Sequence, residues 1–263
     1  MRWGYFGYWI PIGEHLATGF RLQFMNRSEH RGGGDPVLFL GCAINRDEQT
    51  METHRLAILI IIAASLLLAV LLYPVVPETI PTHWNLQGEP DAWSGKAFGL
   101  VIIPLIIILT AIIFTGILAY GWKRRDPMMR TTGWFIVLIL ALLLGIQIYA
   151  GLAAAGSDPP ARIFFPIIFA LFYLGISILL PRLSTQNPVF GIRTPWTMKS
   201  PIVWERTHQA GARTFRIAAG LTLLGAFFPD HLFLFIIGSA LGATVWLFIV
   251  SYREYRRLET DHE

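Results

Sequence analysis

Charge is scarce in this chain, and the scarcity is local. Lys, Arg, Asp and Glu make up 14% of the 263 residues, where a soluble domain carries about 25%. Four long stretches, Leu56–Val76, Ala97–Trp122, Thr131–Ala155 and Ile163–Leu180, contain no Asp, Glu, Lys, Arg or His at all. Pumps and ion carriers usually keep ionisable groups at mid-membrane, so that absence speaks against a secondary transporter. No paired aspartates, Ser/His pair or HExxH motif lies in these stretches either, which removes support for intramembrane proteolysis. Cys42 stands alone; an intrachain disulfide and a cysteine-based metal cage are both excluded.

What is present is hydrocarbon-compatible sequence. Each of the four stretches is long enough to cross about 30 Å of hydrocarbon as a helix at 1.5 Å per residue. Only a helix satisfies its own backbone there. Thr214–Phe228 and Leu232–Tyr252 complete a set of six expected spans. Thr214–Phe228 is the weakest, because only Ile217–Phe228 are free of charge once Arg216 is passed; Arg213 and Arg216 can snorkel from its start. Of the 21 Lys and Arg residues, nineteen fall before the first run, in the second and fourth gaps, or in the tail. Lys96 and Arg162 lie in the intervening gaps. By the positive-inside rule, the expected fold is an all-α membrane protein of six transmembrane helices with both termini cytoplasmic. Its first half, 51–156, holds spans one to three and its second, 157–263, spans four to six. The formal charge of +4 comes from the cytoplasmic gaps and calls for membrane lipid as partner rather than nucleic acid.

Pro104 and Pro166 are expected to bend the second and fourth helices. Trp122, Trp134, Tyr73 and Tyr252 fall at run ends, as interfacial aromatics do. Gly238 and Gly242 form a small-xxx-small pair, and Gln147 reads as a hydrogen-bonding residue between helices. Residues 1–50 are rich in Gly, Arg and aromatics and lack periodicity. Met51 directly precedes the first span, so 1–50 is expected to be a disordered or wrongly annotated extension.

The distinctive chemistry lies in two loops. The external one follows the first span and carries His83, Trp84, Asn85, Gly88, Glu89, Asp91 and Lys96. Pro77 and Pro81 keep its start extended, and its turn-prone clusters suit a compact cap. One His with Glu89 and Asp91 is a poor zinc set, and no metal is expected. In local terms Asp91 should pair with Lys96 while His83 and Asn85 satisfy loop backbone. The cytoplasmic loop after the fourth span carries Asn187, Gly191, Arg193, Thr194, Pro195 and Trp196. Ser200-Pro201 should then start a helix with Ser200 as N-cap, placing Trp204, Thr207, His208 and Gly211 on one face. Trp196 and Trp204 read as headgroup-level anchors, with Arg193 and Arg206 contacting phosphates. No nucleophile accompanies His208, so no catalytic residue is expected.

The string Pro-x-His83-Trp84-Asn85-x-x-Gly88-x-Pro-Asp91-x-x-x-x-Lys96, followed by Asn187-x-x-Phe-Gly191-Ile-Arg193-Thr194-Pro195-Trp196-Thr and Trp204-x-x-Thr207-His208-x-x-Gly211, strongly resembles SdpI-like membrane proteins, the immunity proteins for the sporulation-delaying peptide toxin of bacilli. The resemblance runs from about Leu56 to Tyr252; Pro201 departs from it, where a polar or acidic residue is expected. It implies a multi-pass protein of the bacterial cell membrane, without enzymatic activity or cofactor, that confers tolerance to an antimicrobial peptide toxin. It further implies that the toxin-engaged form sequesters a transcriptional repressor. The external string would be the toxin-side sensor or a structural cap, and the cytoplasmic string the repressor-facing surface. A transporter or lipid-handling protein of the same architecture is the competing reading.

Overall fold

The computed structural model describes residues 46–85, 89–123, 129–157, 159–186 and 190–260. The chain divides into two units, 1–49 and 50–263, and the account below concerns the second. Residues 1–45, most of the expected extension, lie outside the described residues, as do Gly88 and Asn187.

Seven helices and one hairpin follow in order: α1 (Arg46–Leu72), β1 (Thr79–Trp84), β2 (Pro90–Gly95), α2 (Lys96–Lys123), α3 (Met129–Ala154), α4 (Ala161–Leu179), α5 (Pro195–Lys199), α6 (Pro201–Leu224) and α7 (Leu232–Thr260). Among the described residues, five stretches are long and apolar enough to cross a membrane: Thr53–Leu72, Lys96–Gly116, Thr131–Ala154, Ala161–Arg182 and Pro229–Thr260. The expected fifth run, Thr214–Phe228, falls on α6 and the 3₁₀ turn Gly225–Phe227. Polar residues through the first half of α6 keep that helix out of the set. A second 3₁₀ turn, Pro229–His231, leads directly into α7, as tight a connection as the sequence suggested.

The all-α expectation needs one correction. The segment after α1 is an antiparallel hairpin, in which Thr79 faces Gly95 and Pro81 faces Trp93, with irregular register on either side of the His83–Ala92 pair. Its strands tolerate prolines because Pro90 opens β2 and a two-stranded ribbon offers free edges for Pro81. Ile80 is buried with Val76, Leu100 and Ala154, which seats the hairpin on the adjoining ends of α1, α2 and α3.

Packing within the helices relies on small residues and polar contacts, as it must where lipid is no less apolar than the helix surface. Ala170, Ala218, Ala219 and Ala243 let α4, α6 and α7 approach closely around Tyr173. The Tyr173 hydroxyl donates to the Ile236 carbonyl (2.9 Å), and Thr222 and Ser239 join α6 to α7 (3.0 Å). Ile58 and Ile61 of α1 meet Ile107, Ala111, Ile136 and Leu140 of α2 and α3. Beside them Ser65 Oγ donates to Gln147 Oε1 (2.5 Å) and Gln147 Nε2 donates to the Ser65 carbonyl (2.9 Å). Gln147 is thus the interhelical link expected of it. Gly238 and Gly242, in contrast, meet no neighbouring helix. Trp134, partly buried near the start of α3, packs edge-on to His54 and into the cluster around Trp204.

The reciprocal Ser65–Gln147 pair generates the first prediction. Gln147→Leu leaves the Ser65 hydroxyl without its partner and should lower stability by about 1 kcal/mol. Adding Ser65→Ala should recover part of that loss, read by thermal unfolding in detergent.

Candidate functional site

The loop between α4 and α5 folds into a knot held by hydrogen bonds between backbone and side chains. His208 sits about two turns into α6, fully enclosed. Its Nδ1–H donates to the Trp204 carbonyl (2.7 Å), and Nε2 accepts the Ile192 amide proton (3.0 Å). Both contacts require the neutral imidazole in the Nδ1–H form, and burial pushes its pKa down to about 4, partly opposed by the bond to Trp204. Trp204 stacks on this ring with centroids 4.1 Å apart, and its indole N–H donates to the Leu183 carbonyl (2.7 Å). Trp204 is 0% exposed, which corrects its expected place at the headgroup level.

Gly191 closes the knot. Its φ of 124° lies in the region open chiefly to glycine, and a Cβ there would come within 2.6 Å of Trp204 and 2.7 Å of His208 Nε2. A Cβ at Gly211 would press on Ile192 and Leu180 at 2.9 Å. Thr194 then caps α5: its hydroxyl accepts from the Thr197 amide (3.2 Å), the Thr197 hydroxyl accepts from the Thr194 amide (2.9 Å), and Pro195 takes the first helical position. Thr197 also donates to the Ile192 carbonyl (2.8 Å), and Gln186 Nε2 donates to the Thr197 carbonyl (2.7 Å). Ser200 caps α6 through the Val203 amide, as expected.

The knot separates buried from accessible members of the expected cytoplasmic string. Thr194, Trp204, Thr207, His208 and Gly211 are buried; Arg193 and Pro195 are exposed. Thr207 Oγ1 has no hydrogen-bond partner among the described residues. Trp196 lies against Phe248 and Tyr252 of α7. Arg206, expected on phosphate, pairs with Glu254 (3.0 Å). Phe190, whose role sequence reasoning missed, reaches out of the knot to stack on Phe135 of α3 and tilt against Phe114 of α2. The available signal was a large aromatic directly before Gly191 in a turn-prone loop.

The hairpin presents a different surface. His83 Nδ1 donates to Asp91 Oδ1 (2.5 Å) across the strands, and both side chains are substantially exposed. Lys96 pairs instead with Glu78 (2.8 Å) and lies 4.9 Å from the centre of the Tyr73 ring. The expected Asp91–Lys96 pair is therefore replaced by two others, because strand pairing sets Asp91 beside His83. Asn85 accepts from the Glu89 amide (2.9 Å), satisfying loop backbone as expected. Trp84 turns inward to meet Tyr149 edge-on and joins the cluster of Phe165, Leu232 and Ile236. No group of three or more His, Cys, Asp or Glu suited to a metal occurs among the described residues.

Residues 184–251, which contain the knot, match the model of the SdpI/YfhL protein family, and residues 60–108 match a domain of unknown function, DUF1648. The chain is 24% identical over 203 residues to a Bacillus subtilis (strain 168) protein described as immunity protein SdpI, covering 76% of this chain and 95% of that one. It is 28% identical over 83 residues to the uncharacterized membrane protein YbgB of the same organism, covering 32% and 80%. An uncharacterized protein of Archaeoglobus fulgidus is 40% identical over 162 residues, covering 49% and 88%. No solved structure matches.

Two outcomes follow from the knot. Gly191→Ala should destabilise by about 2 kcal/mol or more, since strain and overlap act together; thermal unfolding measures it. A histidine whose folded pKa is lowered stabilises fully above its unfolded value near 6.5 and loses that contribution as pH falls towards 4. His208 should therefore impose an acid loss of up to about 3 kcal/mol across that window, and His208→Gln should remove that part of the pH slope.

Proposed function

We propose that this chain, which belongs to the SdpI/YfhL protein family, is a multi-pass membrane immunity protein conferring tolerance to an antimicrobial peptide toxin. The observation that carries this reading is the match to a protein described as an immunity protein along 95% of that protein's length. In this reading Thr214–Phe228, the C-terminal half of α6 with its following turn, is the sixth span beside the five apolar helices, and both termini face the cytoplasm of a bacterial cell. The charge alternation supports it, with nineteen of 21 basic residues on one side.

The two loops then have opposite duties. The hairpin faces outward, and its exposed His83–Asp91 pair is the polar feature that meets a toxin, while Trp84 anchors the hairpin to α3, α4 and α7. Asn85, Gly88 and Lys96 serve the cap. The knot faces inward. Its buried members set the loop's shape, and its accessible rim, Arg193 and Pro195 with Met198 and Lys199 on α5, is the surface a repressor would contact. Gly191 sets the loop's course.

Expression in a toxin-sensitive bacterium tests the function: cells carrying the chain should survive a toxin dose that kills cells carrying empty vector. Arg193→Ala should abolish repressor relief while leaving membrane abundance and survival unchanged. Equal killing of both strains, at confirmed membrane abundance, would remove the immunity reading.

A further inference from the structure

From the depth and pairing of two arginines on α6, we infer that Arg213 and Arg216 form a binding site for the phosphate of an anionic phospholipid, sunk below the inner surface of the bilayer. The inference rests on the six-span reading, because α6 must lie in the membrane beside α7.

Depth is set by the antiparallel register of these two helices. Arg206 pairs with Glu254, a Cβ at Gly211 would touch Leu247, Ala218 and Ala219 meet Ala243, and Thr222 bonds Ser239. Interpolation puts Arg213 level with Leu247 and Arg216 level with Thr244. Leu247 is six residues inside Arg253, the first charge after the apolar part of α7, or roughly 9 Å, and Thr244 is nearly one turn deeper. Arg216 Nε donates to the Ala212 carbonyl (3.2 Å), so its side chain leans back towards the start of α6. That recovers about one turn of depth and leaves the guanidinium still below the plane of Arg253.

Both residues are exposed on the outside of the bundle and share one face at i, i+3. Neither has a carboxylate within ion-pair distance among the described residues. The facing parts of α4 and α7, Ile163–Leu180 and Leu232–Tyr252, contain no acidic residue. With Thr214–Phe228 in the bilayer, two exposed guanidiniums at this depth face lipid rather than bulk water and call for an anion, and a planar fork matches phosphate oxygens bidentately. Immediately above them the same helix shows Ile217, Leu221 and Leu224 outward, 64%, 43% and 49% exposed. Gly220 lies among them, where a Cβ would meet nothing within 4 Å. An anion bounded by that surface must bring an acyl chain with it, so a lipid rather than soluble phosphate fits. To reach the pair, its headgroup sinks and the bilayer thins locally over α6.

The test uses the full chain in nanodiscs of phosphatidylglycerol and phosphatidylcholine in equal parts, with bound lipids counted by native mass spectrometry. The wild type should retain phosphatidylglycerol preferentially. Arg213→Gln/Arg216→Gln should lose that preference by roughly tenfold, whereas Arg253→Gln/Arg257→Gln, at the surface, should keep most of it. Equal retention of the two lipids by the wild type, or an unchanged preference in the α6 double variant, overturns the site. A Gly220→Cys label in a Cys42→Ser background separates the causes. Protection from water-soluble maleimide with no lipid preference removes the site alone, and ready labelling removes both the site and the sixth span.

Discussion

Inside a bilayer two apolar helices gain nothing from leaving lipid for one another, so close fit and polar contacts must hold the bundle. The chain meets this constraint at few places. Alanines draw α4, α6 and α7 together, with Tyr173 and the Thr222–Ser239 pair supplying the hydrogen bonds. α1 has a thinner attachment: a strip of isoleucines, an edge-on contact between His54 and Trp134, and the reciprocal Ser65–Gln147 bonds. Ala69 and Leu72 add a contact beneath the hairpin, while much of the rest of its apolar surface faces outward, with Leu59, Leu67 and Val70 each more than half exposed.

The two loops act as clamps on the ends of this loosely cemented bundle. At one end Trp84 carries the hairpin into an aromatic cluster shared by α3, α4 and α7. At the other, Phe190 joins the knot to α2 and α3 while Trp204 and His208 lock it to α6. α3 is common to both, through Tyr149 near its end and Phe135 near its start. Each loop is thus braced against a different end of the same helix.

Much of this was legible in the residues. Four uncharged runs announced four helices, Ser200-Pro201 announced a helix start, and Gln147 announced a bond between spans. The positions of Trp204, Thr207, His208 and Gly211 on one face followed from helical spacing, but not what that face meets. Burial of Trp204 depends on a carbonyl at Leu183, 21 residues away, and no local pattern encodes that distance. The hairpin was hidden for a related reason. Three prolines and two turn clusters read as irregular cap, whereas strand pairing, a non-local event, decided which carboxylate reached His83. α6 resisted assignment because one helix combines a polar knot-forming half with an apolar half.

The Ser65–Gln147 link also orders the making of the protein. A ribosome delivers Ser65 to the bilayer 82 residues before Gln147 exists. Until then the serine hydroxyl has to turn back onto the carbonyl of its own preceding turn, a bond helical serines readily make. The first helix can satisfy that hydroxyl by itself until the third is made, and the Ser65–Gln147 bonds then join the two.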